Sequence, residues 1–218
     1  MEITISKTLK RTNPKLSLGV VEATVVVEKS SSNLWKEIEK QIAGAIRRYS
    51  LDGLGFIPEI ATVRDTYKQL GKEPTRYRGS SEALIRRILR GKSLYRVNDV
   101  VDVNNLVSIE TCHPVGSYDL DKIEGPIVFD IGKPGESYKG IGKEEINIAE
   151  LPVFRDSIGP YGSPTSDSER AMITENTKHI IMVIISFSGT GVERATRRAA
   201  ELLKCYASAD VHEIKIVS

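Results

Sequence analysis

The sequence has few of the residues that build metal sites or covalent frameworks. Its two cysteines, Cys112 and Cys205, are far apart and share no paired spacing. That argues against a disulfide scaffold and is what a reducing compartment predicts, so a cytoplasmic location is expected. The three histidines, His113, His179 and His212, are scattered, and Cys112-His113 is one adjacent pair without ligand spacing. No metal is expected from such a set. Nor does the pair make a nucleophile and its base, because sequence neighbours seldom point their side chains together. No glycine fingerprint for a nucleotide's phosphates follows a strand and opens a helix, and no cofactor is expected. The longest apolar run, His179 to Phe187, is far too short to span a bilayer. The N-terminal MEITISKTLKR lacks the apolar run of a signal peptide. Internal repeats and low-complexity tails are absent as well.

What is present is an ordinary apolar fraction and a high, nearly balanced charge, with a formal net of +2 over 218 residues. That is enough chain for one large domain or two small intimate ones. The balance hides a local bias. From Arg64 to Arg96 there are ten Lys/Arg against three acids, Asp65, Glu73 and Glu82. A band of that density suits phosphate, and solvated helix faces account for it equally well.

Read in order, Met1 to Ser6 alternates through Glu2, Ile3, Thr4 and Ile5 as a strand, and Leu16 to Glu28 is a β-branched strand able to bend at Gly19. Ser30 to Asn33 supplies N-cap chemistry for a helix whose inward positions are Leu34, Ile38, Ile42, Ala45, Ile46 and Tyr49. Trp35 beside them reads as packing. Pro58 starts a helix through Gly71 with Ile60, Val63, Tyr67 and Leu70 inward. Arg64 and Lys68 lie one turn apart on it, able to grip an anion or simply to be solvated. Thr75-Arg76-Tyr77-Arg78 sets an aromatic between two cations, a short pattern that suits RNA. Ser80 or Ser81 caps the next helix, Leu84, Ile85, Ile88 and Leu89 form its apolar face, and Gly91 ends it. Arg86, Arg87 and Arg90 cannot all be buried there. Val97 to Ile109 fits a helical stripe and a strand alternation alike, and periodicity does not decide it. Short β runs between glycines follow from Gly125, then a long Gly/Pro/Ser segment, Ser157 to Ser168, of the kind that often carries function. Ile180 to Phe187 is a buried strand. Thr190-Gly-Val-Glu193 reads as a capping box opening a helix, and Val211 to Val217 as a last strand.

Two clusters bear chemistry. Asp119-Leu-Asp121 suits acid/base work or an Asx turn. Ser166-Asp167-Ser168-Glu169 on the long segment can hydrogen-bond a ligand or be plain loop. Neither names a function.

The stretch Ser81 to Lys122 goes further. Ser81-Glu82-Ala83-Leu84 with Arg87, Val97-Asn98-Asp99-Val100-Val101-Asp102-Val103-Asn104-Asn105-Leu106-Val107, Ile109-Glu110, Pro114 and Tyr118-Asp119-Leu120-Asp121-Lys122-Ile123 run in one order. Gly135-Glu136, Gly142-Lys143, Asp156 to Pro160, and Ile173 with Thr177-Lys178 extend it. This order resembles the B3/B4 domain of the phenylalanyl-tRNA synthetase beta subunit, over about residues 60 to 185. The resemblance implies an α+β fold of three layers, with central mixed and antiparallel sheets and flanking helices. It implies one such domain across residues 1–218, as a free-standing version, and a helical Val/Asn segment. In that family the domain hydrolyses tyrosine wrongly esterified to phenylalanine tRNA, and a glutamate in a Gly-Gly-Glu motif helps recognise the tyrosine hydroxyl. Glu169 falls on that glutamate. Four positions depart from the pattern: Gly116 stands on the family's histidine, His113 on its glutamine, and Asp167-Ser168 on its two glycines. A retained pocket with altered lining is the expectation. Its candidate liners are Glu169, Asp167, His113, Asn98, Asn104 and Asn105, with Asn as helix or turn cap the plainer role. The candidate phosphate contacts are Arg64, Lys68, Arg76, Arg78, Arg86, Arg87 and Arg90. The expected partner is tRNA or aminoacyl-tRNA, with no membrane. A deacylase of mischarged tRNA, a noncatalytic RNA-binding module and a binder of a small amino-acid-like ligand remain as alternatives.

Overall fold

The structure is a computed structural model describing residues 1–218. In chain order its elements are β1 (Ile3–Ile5), α1 (Lys7–Thr12), β2 (Ser17–Thr24), α2 (Ser32–Arg48), α3 (Pro58–Gln69), α4 (Ser80–Leu89), α5 (Asp99–Thr111), β3 (Val115–Asp119), β4 (Ile127–Ile131), β5 (Ser137–Lys139), β6 (Glu145–Asn147), β7 (Pro152–Arg155), β8 (Pro160–Gly162), β9 (His179–Ser186), α6 (Val192–Tyr206) and β10 (Asp210–Val217). Three layers result. An antiparallel sheet, β10-β2-β9-β3, lies between a helical layer and a second sheet, β1-β4-β7-β8. The second sheet is mixed because β1 pairs with β4 in parallel. β5 and β6 form a separate hairpin.

The continuous apolar run of β9 has a simple cause, since a strand covered on both faces needs no polar alternation. Ile180, Met182 and Ile184 point into the helical core with α2, α5 and α6. Ile181, Val183 and Ile185 point between the sheets, against Phe129, Phe154 and Tyr161. No helix is long and apolar enough to cross a membrane.

Most of the expected helices form, with corrections at their edges. On α2 the Ser31 hydroxyl accepts from the Leu34 amide at 3.2 Å, and Leu34, Trp35, Ile38 and Ala45 are buried. Ile46, expected inward, is 54% exposed, because Ala45 lies on the buried stripe and the next residue turns about 100° away. Neither Ser80 nor Ser81 caps α4. The cap is Gly79, and the Ser80 amide donates to the Pro164 carbonyl, which ties the helix start to the 163–168 loop. The undecided Val/Asn segment is helix α5, with Asn98 as its cap accepting from the Val101 amide at 2.9 Å. It lacks a clear stripe because Val100, Val103, Leu106, Val107, Asp99 and Asp102 bury it on several sides. The Thr190–Glu193 capping box does not form. Gly191 is the cap in a left-handed conformation (φ 70°), and Thr190 Oγ1 shares a hydrogen bond with Ser188 Oγ instead. β8 lies inside the segment expected to be loop. α1 and β3 had no sequence signal strong enough to read.

Candidate functional site

β3 runs at one edge of the central sheet, paired only with β9. Alternation sends Gly116 and Tyr118 toward the second sheet, and Val115, Ser117 and Asp119 toward the helices. The Tyr118 ring leans over Gly116 and packs edge-on against Phe154 (5.7 Å between centroids) and Tyr161 (5.0 Å). Two glycines make room for it. A Cβ at Gly116 would lie 2.3 Å from the Tyr118 hydroxyl, and one at Gly162 would lie 2.4 Å from it. The phenol therefore fills the space into which a side chain at position 116 would project.

Its hydroxyl donates to Asp167 Oδ1 at 2.9 Å, and the Ser163 amide donates to the same oxygen at 3.1 Å. Burial pushes the Asp167 carboxyl up to about 6, although both donors favour its charged form. The Tyr118 hydroxyl is pushed well above the ordinary phenol range by burial and by the Asp167 charge. Further hydroxyls clamp the same loop. Tyr67 shares a hydrogen bond with Thr165 at 2.8 Å, and Tyr138 donates to the Ser166 carbonyl. Lys143 Nζ reaches Ser166 Oγ at 2.8 Å from the turn of the β5-β6 hairpin. The Tyr161 hydroxyl is buried without a partner.

A groove of about 460 Å³ opens beside this loop, walled by Arg76, Tyr77, Lys143, Ser163, Thr165 and Ser166 among others. Lys72 and Arg76 both lie near the Tyr77 ring, at 4.9 and 5.7 Å from its centroid. The groove thus combines Arg76 and Lys143, the carboxylates of Glu144 and Glu145, one aromatic ring and a row of hydroxyls.

The other sequence candidates fall elsewhere. Glu169 sits on a short 3-10 turn, 37% exposed, in an ion pair with Lys139 at 3.0 Å. His113 is buried beneath the start of α6, against Gly191, and burial lowers its pKa so that it is neutral near pH 7. It follows Cys112, whose left-handed conformation (φ 60°) ends α5 and turns the chain. Asn98 is spent on its cap. Asn104 accepts from Ser117 Oγ at 2.9 Å, on the face of β3 opposite Tyr118. Asn105 is half-buried on α5. The structure therefore brings together only Asp167 of the proposed liners with the Tyr118 cluster.

The cations divide in the same way. Arg64 forks onto Glu82 at 2.9 and 2.7 Å, Arg86 donates to it at 2.6 Å, and Arg78 stands 3.7 Å away. These three converge on one buried carboxylate. Lys68, Arg76 and Arg90 are exposed, and Arg87 is half-buried. Sequence reasoning missed Tyr118, Tyr138, Tyr161, Gly162 and Lys143. They come from separate places in the chain, and only the pair Gly116/Tyr118 had a local signal, a glycine two residues before an aromatic in a strand.

No three His, Cys, Asp or Glu side chains converge where a metal ion would sit. The chemistry on offer is a carboxyl titrating near neutrality, hydrogen-bonded to a phenol, beside a groove whose wall carries two cations and two carboxylates. Asp167→Asn removes that titration. A raised folded pKa means the charged form costs stability, fully above about pH 6 and progressively less as pH falls toward the unfolded value near 3.9. Between pH 7 and pH 5 the wild type should gain about 1 kcal/mol relative to Asp167→Asn. Urea unfolding of both proteins at the two pH values measures this; a constant difference would refute it.

Three layers, a mixed second sheet and a loop-walled groove at their edge define the class, an α+β domain with its candidate site on connecting segments. Within that class the B3/4 domain family matches residues 62–208, and the chain belongs to it. It is 31% identical over 121 residues to the phenylalanine–tRNA ligase beta subunit of Bifidobacterium longum, a stretch covering 52% of this chain and 14% of that subunit. It is 26% identical over 167 residues to the same subunit of Aquifex aeolicus, covering 68% and 22%. The chain thus corresponds to a small part of these relatives. Its fold matches a crystal structure of an N-terminal fragment of the phenylalanyl-tRNA synthetase beta subunit from Pyrococcus horikoshii, with a TM-score of 0.50 and 16% identity, over all of this chain and 50% of that fragment.

Proposed function

We propose that this chain is a cytoplasmic tRNA-binding protein, one B3/4-like domain that receives the acceptor end of aminoacyl-tRNA in the Arg76/Tyr77/Lys143 groove and does not hydrolyse it. The groove carries the reading. Lys72 and Arg76 beside the Tyr77 ring suit phosphates around a stacked terminal base, and the hydroxyl wall of Ser163, Thr165 and Ser166, with Glu144 and Glu145 in the same groove, suits the polar ester end and its ammonium group. Against hydrolysis stands the Tyr118 ring, which occupies the space next to Gly116 where the resemblance puts a histidine. One observation favours the deacylase as a second reading. An ester is already activated, and Asp167, with a carboxyl raised to about 6, is a suitable base for a positioned water if the loop opens.

Purified protein is mixed with uncharged tRNA and with a panel of correctly and wrongly charged aminoacyl-tRNAs, and both binding and release of amino acid are followed. The expected result is salt-dependent binding, weakened at least tenfold in Arg76→Ala/Lys143→Ala, with no release above the spontaneous rate. Release abolished by Asp167→Asn would replace this reading with the deacylase. Absence of tRNA binding at low salt, with binding of a free amino acid, would leave the small-ligand reading.

A further inference from the structure

A second surface lies at the opposite end of α4 from the groove. The C-terminal turn of α4 closes on Gly91 (φ 68°), with the Lys92 amide donating back to the Arg87 carbonyl. The next residues, Ser93 to Val97, follow a course fixed by Leu94, which is buried in the helical core. With Leu94 inward, Tyr95 projects out and is 70% exposed. Among the aromatic rings only Phe56, at 85%, is more exposed, and the Tyr95 ring is not left to swing. Arg87 Nε donates to the Ser93 carbonyl at 2.7 Å, and its guanidinium lies 4.3 Å from the centroid of the Tyr95 ring. One side of the ring is backed by a fixed cation and the rest faces solvent.

More cations stand close to it in the chain. Arg90, Lys92 and Arg96 are exposed, and Arg96 lies over the indole of Trp35 at 4.4 Å. None of Arg87, Arg90, Lys92 and Arg96 is in an ion pair. The carboxylate near Arg96, Asp102, already accepts from Ser30 Oγ, Trp35 Nε1 and the Val97 amide. This contrasts with Arg64 on α3, Arg86 on α4 and Arg78 in the loop between them, which share Glu82. Cations near a helix C-terminus complement its dipole, which explains Arg87 and Arg90, and Arg96 packs on Trp35 near the Asp102 carboxylate; neither accounts for the exposed ring.

We propose that Tyr95, backed by Arg87 and flanked by Arg90, Lys92 and Arg96, is a stacking platform for one unpaired base of single-stranded RNA. The three flanking cations meet the phosphates on either side of that base. A ring already held by a guanidinium loses little freedom when a base covers its open side, and stacking is indifferent to base identity. The surface therefore grips a single-stranded segment without reading its sequence. This rests on the tRNA-binding reading only for its partner: the groove takes one end of the RNA and the platform an unpaired stretch elsewhere on it.

The full chain is titrated with tRNA, with a single-stranded RNA 12-mer and with an RNA duplex of the same length, for wild type, Tyr95→Ala, Tyr95→Phe, Arg90→Ala/Lys92→Ala and the groove variant Arg76→Ala/Lys143→Ala. These side chains are exposed or half-buried at the surface, and unfolding midpoints check that each variant is folded. Tyr95→Ala should weaken 12-mer binding at least fivefold, and Tyr95→Phe should leave it unchanged. The double cation variant should reduce the salt slope by about 0.7 for each phosphate it no longer neutralises. The duplex should bind more weakly than the 12-mer. If tRNA binds but Tyr95→Ala binds tRNA and 12-mer like wild type, the platform is overturned and the tRNA reading stands. If the 12-mer binds through Tyr95 and tRNA does not bind, the platform stands and the tRNA reading falls. Preference for the duplex, or no binding of any RNA, overturns the platform.

Discussion

Gly116→Ala should lower the stability of this protein by about 2–3 kcal/mol, at the upper end of what one added methyl group costs in a packed interior. The new Cβ would sit 2.3 Å from the Tyr118 hydroxyl, 2.7 Å from Cζ and 2.9 Å from Cε2. A flexible side-chain tip could swing away cheaply, but this ring cannot. It is fully buried, wedged edge-on against Phe154 and Tyr161, and bounded on the far side by Gly162. Moving it also takes the hydroxyl from Asp167, leaving an enclosed carboxylate with one donor fewer. The test is a double-mutant cycle. Leucine at 118 lacks all three clashing atoms, so in Tyr118→Leu the added methyl should cost less than about 1 kcal/mol, giving a coupling of about 1–2 kcal/mol. Urea midpoints of the four proteins give the result, and additivity would show that the ring is not what fixes glycine at 116. A histidine at 116 should cost more than alanine for the same reason, so restoring the residue that the resemblance places there requires removing Tyr118 as well.

The second large effect is expected at Glu82→Gln, a loss of about 3 kcal/mol. The Glu82 side chain is only 2% exposed and holds Arg64, Arg86 and Arg78 together. Its neutral isostere keeps the volume and removes the one negative charge among three guanidiniums. Breaking a buried pair from one side is costly because the partner charges stay behind. The full range for such losses is discounted here because the arginine side chains are 19% to 36% exposed and can turn partly to water. The pH dependence provides a second check. Burial alone would raise the Glu82 carboxyl, but the hydrogen bonds from Arg64 and Arg86 outweigh it and hold it below the usual carboxylate range. A depressed folded pKa contributes stability that is present above the unfolded value near 4.3 and is lost as pH falls through the folded one. Glu82→Gln should therefore narrow its gap to the wild type below about pH 4. A gap that stays constant down to about pH 2.5 would rule out the carboxylate's charge as the source.

These two sites mark where sequence reasoning stopped. Gly116 drew notice only as a departure from a family pattern, because the atoms that demand a glycine are held in place partly by the 160–162 strand, far along the chain. The basic band from Arg64 to Arg96 was legible as composition. Which of its cations are free was not, since Arg64, Arg78 and Arg86 come from two helices and the loop between them, and only their packing brings them to Glu82. The Val/Asn segment was undecidable by periodicity because a helix buried on several sides erases the stripe that periodicity measures. Thr190 and Glu193 stood at capping-box spacing, yet the chain passes Gly191 in a left-handed turn that such a box does not allow.

By itself the sequence determined the two β-branched strands, the helices α2, α3, α4 and α6 with the starts of α2 and α3, and membership of an α+β family through the order of its motifs. These depend on local propensity, on alternation and on the order of residues along the chain, all of which can be read one segment at a time. The tertiary structure alone decided that Tyr118 fills the space beside Gly116, that Asp167 rather than Glu169 meets a phenol, that His113 lies apart from both, and that Tyr95 stands open beside unpaired cations. Each of these depends on side chains from distant segments competing for the same volume or the same charge, and that competition exists only once the layers have packed.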